Sequence, residues 1–185
     1  MDVPTTTREG VPLTFRSGPS DPYAVTDEPG TWAEVVVDAP PAVVWALVSD
    51  INLPARFSQE FQGAEWVDAE PAVGASFVGR NQMEPIGEWE VPCFVEAYEV
   101  GRSFAWATVD RELPGSRWRY DLEPEGDGTR LRYTASMGPG FSFLVVAVDQ
   151  QPEKASRIIE RRLEQHHANM VLTLEGIAAV AEGRA

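Results

Sequence analysis

The segment from Pro152 to Glu182 reads PEKASRIIERRLEQHHANMVLTLEGIAAVAE and contains the longest helical periodicity in the 185-residue sequence. Proline is tolerated in the first turn of a helix, so Pro152 marks the expected start. Positions three or four residues apart form one narrow, mostly apolar stripe: Ile159, Leu163, His166, Met170, Leu174, Ile177 and Ala181. Such a stripe predicts a single long helix that lays one face on an apolar surface.

Upstream of this helix the sequence predicts a sheet. Strand candidates separated by glycine- and proline-containing turns span residues 64–69, 75–83, 88–100, 103–110, 116–124 and 129–137. A further strand begins at Thr31, and two short helices follow it, the first opened by Asp38-Ala-Pro-Pro and the second near residues 52–57. Because the connections are short, we expect an antiparallel meander. The predicted class is α+β, with seven strands, two short helices between strands 1 and 2, and one long C-terminal helix.

Alternation along the strands separates an aromatic face from a charged one. The aromatic face is rich in tryptophan and tyrosine, whose polar atoms need partners when they are buried. A solid core would use Leu, Ile and Val more freely, whereas a pocket for a partly oxygenated apolar ligand suits these rings. From the residues alone the two interpretations are balanced. The positions expected to contact a ligand are Phe77, Trp89, Trp106, Trp118, Tyr120, Tyr133, Phe143 and Met170.

A series of short motifs resembles the polyketide cyclase/dehydrase branch of the SRPBCC (START-like) superfamily. Each motif is weak alone, but their order and spacing over residues 31–182 are fairly specific. The motifs are DAPPAVVWALVSD from Asp38, PARFSQE from Pro54, GASFVGRN from Gly74, GEW from Gly87, FAW from Phe104, WRYDLEP from Trp118, GTRL from Gly128, and NM followed by LTLEGI from Asn169.

The resemblance implies a helix-grip fold, in which a curved seven-stranded antiparallel sheet wraps around the long C-terminal helix and leaves a deep cavity. The superfamily includes aromatase/cyclases that act on carrier-bound poly-β-ketone chains, and also plain carriers of hydrophobic ligands. Fold alone does not decide between them. We expect a protein that binds an aromatic or polyketide-like small molecule in an internal cavity and promotes its cyclisation and dehydration. The alternative is a non-catalytic carrier or sensor of a lipid-like ligand.

Three polar residues are candidates for catalysis in such a cavity. His166 lies at the edge of the helix stripe, where imidazole suits proton transfer; the alternative is an inert, half-exposed boundary histidine. Asn81 lies on an inward row, where its amide either polarises a ligand carbonyl or satisfies a neighbouring strand. A β-bulge near Gly79 would reverse this placement and turn Arg80 inward. Glu60, after the second short helix, lies near the expected cavity mouth, where a lone carboxylate is either catalytic or a surface cap.

The apolar segment Phe141-Ser-Phe-Leu-Val-Val-Ala-Val precedes the long helix. It is too short to span a bilayer and too apolar for an ordinary exposed loop. It is therefore a lid over the cavity entrance, a buried short helix, or a homodimer contact.

The composition of the chain excludes several classes of binding partner. A net charge of −14 disfavours nucleic acid and anionic membranes, which would repel the chain. The single cysteine, Cys93, and the two adjacent histidines disfavour a metal centre. We therefore expect a hydrophobic small molecule as the partner and no cofactor, metal, nucleic acid or membrane. The N-terminal residues lack the pattern of a secretory signal, which favours a cytoplasmic location.

The chain divides into an arm and one domain. Residues 1–30 hold five of the 15 prolines and show no sustained periodicity. This composition predicts an extended or partly disordered N-terminal arm. Residues 31–185 then form a single START-like helix-grip domain.

Overall fold

The computed structural model describes residues 6–8, 11–13, 16–18 and 28–184. Three short strands lie within the predicted arm: β1 (Thr6–Arg8), β2 (Val11–Leu13) and β3 (Arg16–Gly18). β1 and β2 pair with each other, whereas β3 pairs with the first strand of the main sheet. The rest of the predicted arm up to residue 27 lies outside the described residues.

The predicted seven-stranded antiparallel sheet is confirmed. Its strands are β4 (Gly30–Val37), β5 (Phe61–Trp66), β6 (Ser76–Met83), β7 (Gly87–Glu99), β8 (Ser103–Thr108), β9 (Ser116–Glu125) and β10 (Gly128–Met137). With β3 on its edge, the order is β3-β4-β10-β9-β8-β7-β6-β5. Consecutive strands from β5 to β10 are neighbours, as short turns require, and β4 closes on β10.

Strand register brings the predicted inward rows together on the concave face. Phe104 lies opposite Tyr120, and Tyr120 lies opposite Tyr133. β-bulges interrupt the pairing between Phe61 and Gly63 and between Val95 and Ala97, and bulges of this kind bend a sheet. The curved sheet therefore carries its aromatic side chains toward one enclosed space.

Three α-helices and two 3₁₀ turns complete the domain. They are α1 (Pro41–Val48), a 3₁₀ turn at Leu53–Arg56, α2 (Phe143–Gln150), and α3 (Ala155–Ala181), which a 3₁₀ turn at Pro152–Lys154 introduces. The two short helices between the first two strands of the seven-stranded sheet and the long C-terminal helix agree with the predicted helix-grip fold. None of the helices in the described ranges is long and apolar enough to cross a membrane.

The long helix α3 contacts the sheet unevenly. Its C-terminal half packs on β4 and β10, and Met170, Leu174 and Ile177 there are at most 1% exposed. Ile159 and Leu163, at the other end of the predicted stripe, are only half-buried. Because α3 is seated on the sheet at one end, a hollow lies between the sheet and its N-terminal half.

Candidate functional site

The space between sheet and helix is divided into two adjoining hollows. The inner chamber has a volume of about 130 Å³ and the outer chamber about 590 Å³. Pockets for small ligands typically measure roughly 300–1,000 Å³, so the outer chamber alone reaches that range. Residues that line both chambers define the junction between them: Glu60, Asn81, Val91, Thr108, Trp118 and His166.

Aromatic side chains from the concave face enclose the inner chamber. Of the residues predicted to contact a ligand, those lining it are Phe77, Trp106, Trp118, Tyr120, Tyr133 and Met170. The rings of Tyr120 and Tyr133 are stacked, with centroids 4.1 Å apart and planes inclined by 19°. Trp106 contacts Phe77, Phe104 and Tyr120 with ring centroids 5.1–6.0 Å apart, so the walls are fixed by mutual packing.

The outer chamber lies under α2. Trp89 and Phe143, the other two predicted ligand-contacting residues, line it and meet edge to face with ring centroids 5.5 Å apart. No residue of α2 is buried, and Phe143 is 42% exposed. Ser142 caps the helix by accepting a hydrogen bond from the backbone N–H of Val145 at 3.2 Å. The apolar segment thus forms a short helix over the cavity, with apolar atoms turned both to the chamber and outward.

His166 lies at the junction and is only 6% exposed. Its ring and that of Trp118 are nearly perpendicular, with centroids 4.9 Å apart, and its side chain makes no hydrogen bond to any other described residue. Burial, reinforced by the positive charge of Arg162, holds the pKa of His166 well below its ordinary value. The imidazole is therefore neutral at ordinary pH. His167 next to it is half-buried and lines neither chamber.

Glu60 reaches the same junction and is held there by Arg162. The guanidinium of Arg162 donates to both carboxylate oxygens of Glu60, at distances of 2.6 and 2.8 Å. Both side chains are mostly buried, at 18% exposure for Arg162 and 13% for Glu60. This bidentate pair links the loop before β5 to α3 across the cavity.

Asn81 lies at the junction on the concave face. β6 and β7 pair without interruption from Ser76 to Met83. The irregularity on the other side of β6 lies in β5, between Phe61 and Gly63, so β6 itself keeps its alternation and Arg80 is not turned inward. Arg80 is accordingly exposed. The Asn81 side chain makes no hydrogen bond to the other described residues, which leaves its amide available to a ligand.

Several residues of the site were not anticipated from the sequence. Arg162, Gln165 and Asn169 line the chambers from α3, one helical position away from the predicted apolar stripe. Their spacing of three and four residues, continued by Ile158 and Thr173, is the signal that would have revealed a second, cavity-facing row on the same helix. The sequence analysis found only the apolar stripe, because hydrophobic periodicity identifies residues that pack in the core and not residues that contact a ligand.

A hydrogen-bonded chain fixes the wall at Trp118. Its indole N–H donates to Ser116 Oγ at 2.9 Å, and Ser116 Oγ lies 2.8 Å from Thr108 Oγ1. Ser116 and Thr108 were not predicted as site residues.

Cys93 also lines the inner chamber, but burial raises the pKa of its thiol to about 12, so it is not a nucleophile. Within the described residues no His, Cys, Asp and Glu cluster could hold a metal ion.

Comparisons with known proteins identify a family and several solved structures of the same fold. The family model described as polyketide cyclase / dehydrase and lipid transport matches residues 31–172. A search of curated proteins gave no match. Among solved structures, a polyketide cyclase-like protein from Corynebacterium glutamicum is 30% identical, with a TM-score of 0.61 over 83% of this chain and 91% of that chain.

More distant structures share the fold. The two-domain ARO/CYC protein StfQ from the steffimycin biosynthetic pathway is 14% identical, with a TM-score of 0.63 over 84% of this chain and 51% of that chain. A protein from Chromobacterium violaceum is 18% identical, with a TM-score of 0.57 over 83% of this chain and 96% of that chain. At these identities the likeness establishes the architecture alone.

Proposed function

The chain belongs to the polyketide cyclase/dehydrase and lipid transport family, and on that premise we propose that it binds an aromatic or polyketide-like molecule in its cavity and promotes cyclisation and dehydration. One observation carries the proposal. His166, Asn81 and Glu60 come from three separate parts of the chain, yet all of them line the junction of the two chambers. A pocket built only to hold an apolar ligand has no need of such a convergence.

His166 is proposed as the base. It removes a proton from a methylene carbon between two ketones of the bound chain, and that carbon then forms a bond to a ketone carbon further along. The imidazolium returns the proton to the oxygen of the new alkoxide. Its lowered pKa favours this return, because the charged form of a buried histidine is a strong acid. Loss of the new hydroxyl with an adjacent proton releases water and leaves a double bond.

Asn81 and Glu60 are proposed to support this chemistry. The free amide of Asn81 donates to the ketone that is attacked and stabilises the charge that develops on its oxygen. Glu60 acts through Arg162: the bidentate pair engages both carboxylate oxygens and positions the guanidinium beside His166. Orientation by the aromatic walls supplies much of the remaining rate advantage, since ring closure is largely a matter of proximity.

Transport is the second candidate, because the same family includes lipid transport. A carrier would favour a nearly uniform apolar lining. Here polar side chains from the sheet, α3 and the loop before β5 reach the cavity, which supports catalysis over transport. Binding without turnover would reverse this preference.

A linear poly-β-ketone presented as its N-acetylcysteamine thioester tests the proposal. We expect the protein to bind it, detected by native mass spectrometry, and to accelerate formation of a dehydrated ring product, detected by chromatography with mass detection. Removing a general base typically costs about 10²–10⁴-fold in rate, so His166→Ala should lose most of the acceleration.

His167→Ala is the matched control, because this neighbouring histidine lines neither chamber, and it should retain the acceleration. If the wild type binds the thioester but does not accelerate ring formation, the protein is a carrier and not a cyclase. Equal rates for wild type and His166→Ala would remove His166 from the mechanism. Absence of any bound molecule, whether added or co-purified, would overturn the function as a whole.

A further inference from the structure

We propose that the hydroxyl groups of Tyr120 and Tyr133 act as paired donors to a single ketone or enolate oxygen of the ligand in the inner chamber. This inference rests on the proposed function and names the part of the ligand that the inner chamber recognises. It assigns to the two tyrosines a role separate from the chemistry at His166.

The two rings are arranged to bring their hydroxyls together. Tyr120 and Tyr133 lie directly opposite each other on β9 and β10, so both side chains leave the sheet on the concave face. The rings are stacked and nearly parallel, with centroids 4.1 Å apart. Parallel side chains from paired positions place their ends side by side, and one oxygen between two such hydroxyls can accept from both at ordinary hydrogen-bond distances.

The Tyr120 hydroxyl has no well-placed acceptor among the described residues. Tyr120 is 1% exposed, and its hydroxyl oxygen makes no hydrogen bond of acceptable geometry to the described residues. The Tyr133 hydroxyl is near enough to accept weakly from Tyr120 and so affects its pKa, but burial is the main reason that both pKa values are raised. Both groups therefore remain protonated donors. A buried donor without a partner is unfavourable, and a ligand oxygen would satisfy it.

The surroundings restrict the ligand group further. Arg162 is already paired with Glu60 at the junction, and the exposed Arg161 lines only the outer chamber. No Arg or Lys of the described residues lines the inner chamber, and its wall around the tyrosines is aromatic. A carboxylate would lose its hydration there without gaining a free cation. A neutral ketone, or an enolate whose charge is spread over the ligand, fits better.

Size restricts the group that enters the inner chamber. An apolar cavity of roughly 150 Å³ accepts benzene, and the inner chamber is of similar size, at about 130 Å³. We therefore infer that a single planar ring with an oxygen substituent enters the inner chamber, and that the rest of the molecule lies in the outer chamber.

Acetophenone and α-methylstyrene form a suitable probe pair, because a methylene group in the second replaces the ketone oxygen of the first. We expect the carbonyl stretch of acetophenone labelled with ¹³C at the ketone to fall on binding, relative to its value in an apolar solvent. The variant carrying both Tyr120→Phe and Tyr133→Phe should abolish this fall. It should also raise the Kd for acetophenone by about 3- to 10-fold, the usual effect of a neutral hydrogen bond, and leave the Kd for α-methylstyrene nearly unchanged.

Tyr98→Phe is the control, because Tyr98 packs on Trp45 and Phe104 and lines neither chamber. It should bind both probes as the wild type does. A carbonyl stretch that is the same in wild type and double variant, or Kd values that change equally for both probes, would overturn the paired-donor site while cavity binding stands. Failure of the wild type to bind acetophenone would also overturn it, whereas the polyketone experiment tests the wider function independently.

Discussion

Burial decides what His166 can do. In water an imidazole titrates near pH 6.5, but at 6% exposure beside the charge of Arg162 this ring stays neutral to a lower pH. The same environment that makes it a weak base makes its protonated form a ready acid. In the proposed mechanism the low pKa therefore favours the return of the proton to the ligand and opposes its removal.

The lowered pKa of His166 predicts a pH-dependent stability. The unfolded chain binds a proton on this ring below about pH 6.5 and the folded chain does not, so the stabilisation is fully present above that pH and is lost as the pH falls below it. Between pH 7.5 and 5.5 we expect the free energy of unfolding to fall by about 1 kcal/mol through this residue. Urea denaturation at the two pH values measures the loss.

His166→Gln should remove this part of the pH dependence. His167, whose pKa is lowered less strongly by partial burial, provides the comparison: His167→Gln should keep most of it. The carboxylates with lowered pKa values, such as Asp68 and Asp110, titrate at more acidic pH and do not interfere. An unchanged slope in His166→Gln would mean that His166 takes up its proton as readily in the folded chain as in the unfolded one.

At the scale of elements, the pair Glu60–Arg162 joins a loop to a helix. Neither partner is near the other in sequence, and each is mostly buried, so removing one leaves a charge with little access to water. We expect Glu60→Gln to lower the free energy of unfolding by about 2–3 kcal/mol, measured by urea denaturation at pH 7.5.

The exposed pair Arg119–Asp121 provides the matched control, with side-chain exposures of 46% and 34%. Asp121→Asn should cost about 1 kcal/mol or less, because exposed ion pairs contribute little. Similar losses for the two variants would show that the Glu60–Arg162 pair is solvated and does not tie the loop to α3.

The 3₁₀ turn at Leu53–Arg56 packs against α3 at Gly176. A Cβ atom at this position would overlap the ring of Phe57, which follows the turn. In an ordinary helix interior, Gly→Ala stabilises by about 1 kcal/mol. Here overpacking, which costs about 1–3 kcal/mol, should outweigh that gain, and we expect Gly176→Ala to lower the thermal unfolding midpoint.

Adding Phe57→Leu to Gly176→Ala should recover part of the midpoint, since a smaller side chain makes room for the new methyl group. Glu164→Ala, at an exposed position of the same helix, controls for helix propensity and should change little. A raised midpoint in Gly176→Ala would mean that the turn is not pressed against the helix.

At the scale of the whole molecule, the cavity exists because α3 is seated on the sheet at one end only. Its C-terminal half fills the space over β4 and β10, and α2 covers the space left under the N-terminal half. The exposed apolar residues of α2 and the segment just before it include Phe141, Phe143 and Val146, at 62%, 42% and 36% exposure. Because Phe143 contacts Trp89 inside the outer chamber, we favour a lid over a homodimer contact for this segment.

Phe143→Asp tests this preference. A charge at the chamber wall should weaken the closed position, so a bound fluorescent naphthalene dye should dissociate about 10-fold faster in stopped-flow displacement. The mass in solution, measured by light scattering over a range of concentrations, should match that of the wild type.

Val100→Asp is the control, because Val100 is 75% exposed on the turn between β7 and β8 and lines neither chamber. It should leave both the mass and the release rate unchanged. A wild-type dimer that Phe143→Asp dissociates would instead make this surface an interface between two copies, and an unchanged release rate would argue against a lid.

Local patterns in the sequence were enough to place the elements and the strand faces and to identify the family. Period-2 and period-3.6 patterns depend on local geometry, so they located the seven strands, α1 and α3 to within a few residues. They also put Asn81 and the tyrosines on the inward rows, since a strand alternates regardless of its partners. The ordered motifs from Asp38 to the end of α3 identified the superfamily.

How these parts act together became visible only in the folded chain. The pairing of Glu60 with Arg162, the neutral state of His166 and the buried hydroxyl of Tyr120 depend on contacts between residues far apart in the chain, and periodicity carries no distance information of that kind. The balance between a solid core and a cavity was equally undecided, because it depends on how far α3 settles onto the sheet. That position follows from side-chain volumes at the contact, which residue types alone do not reveal.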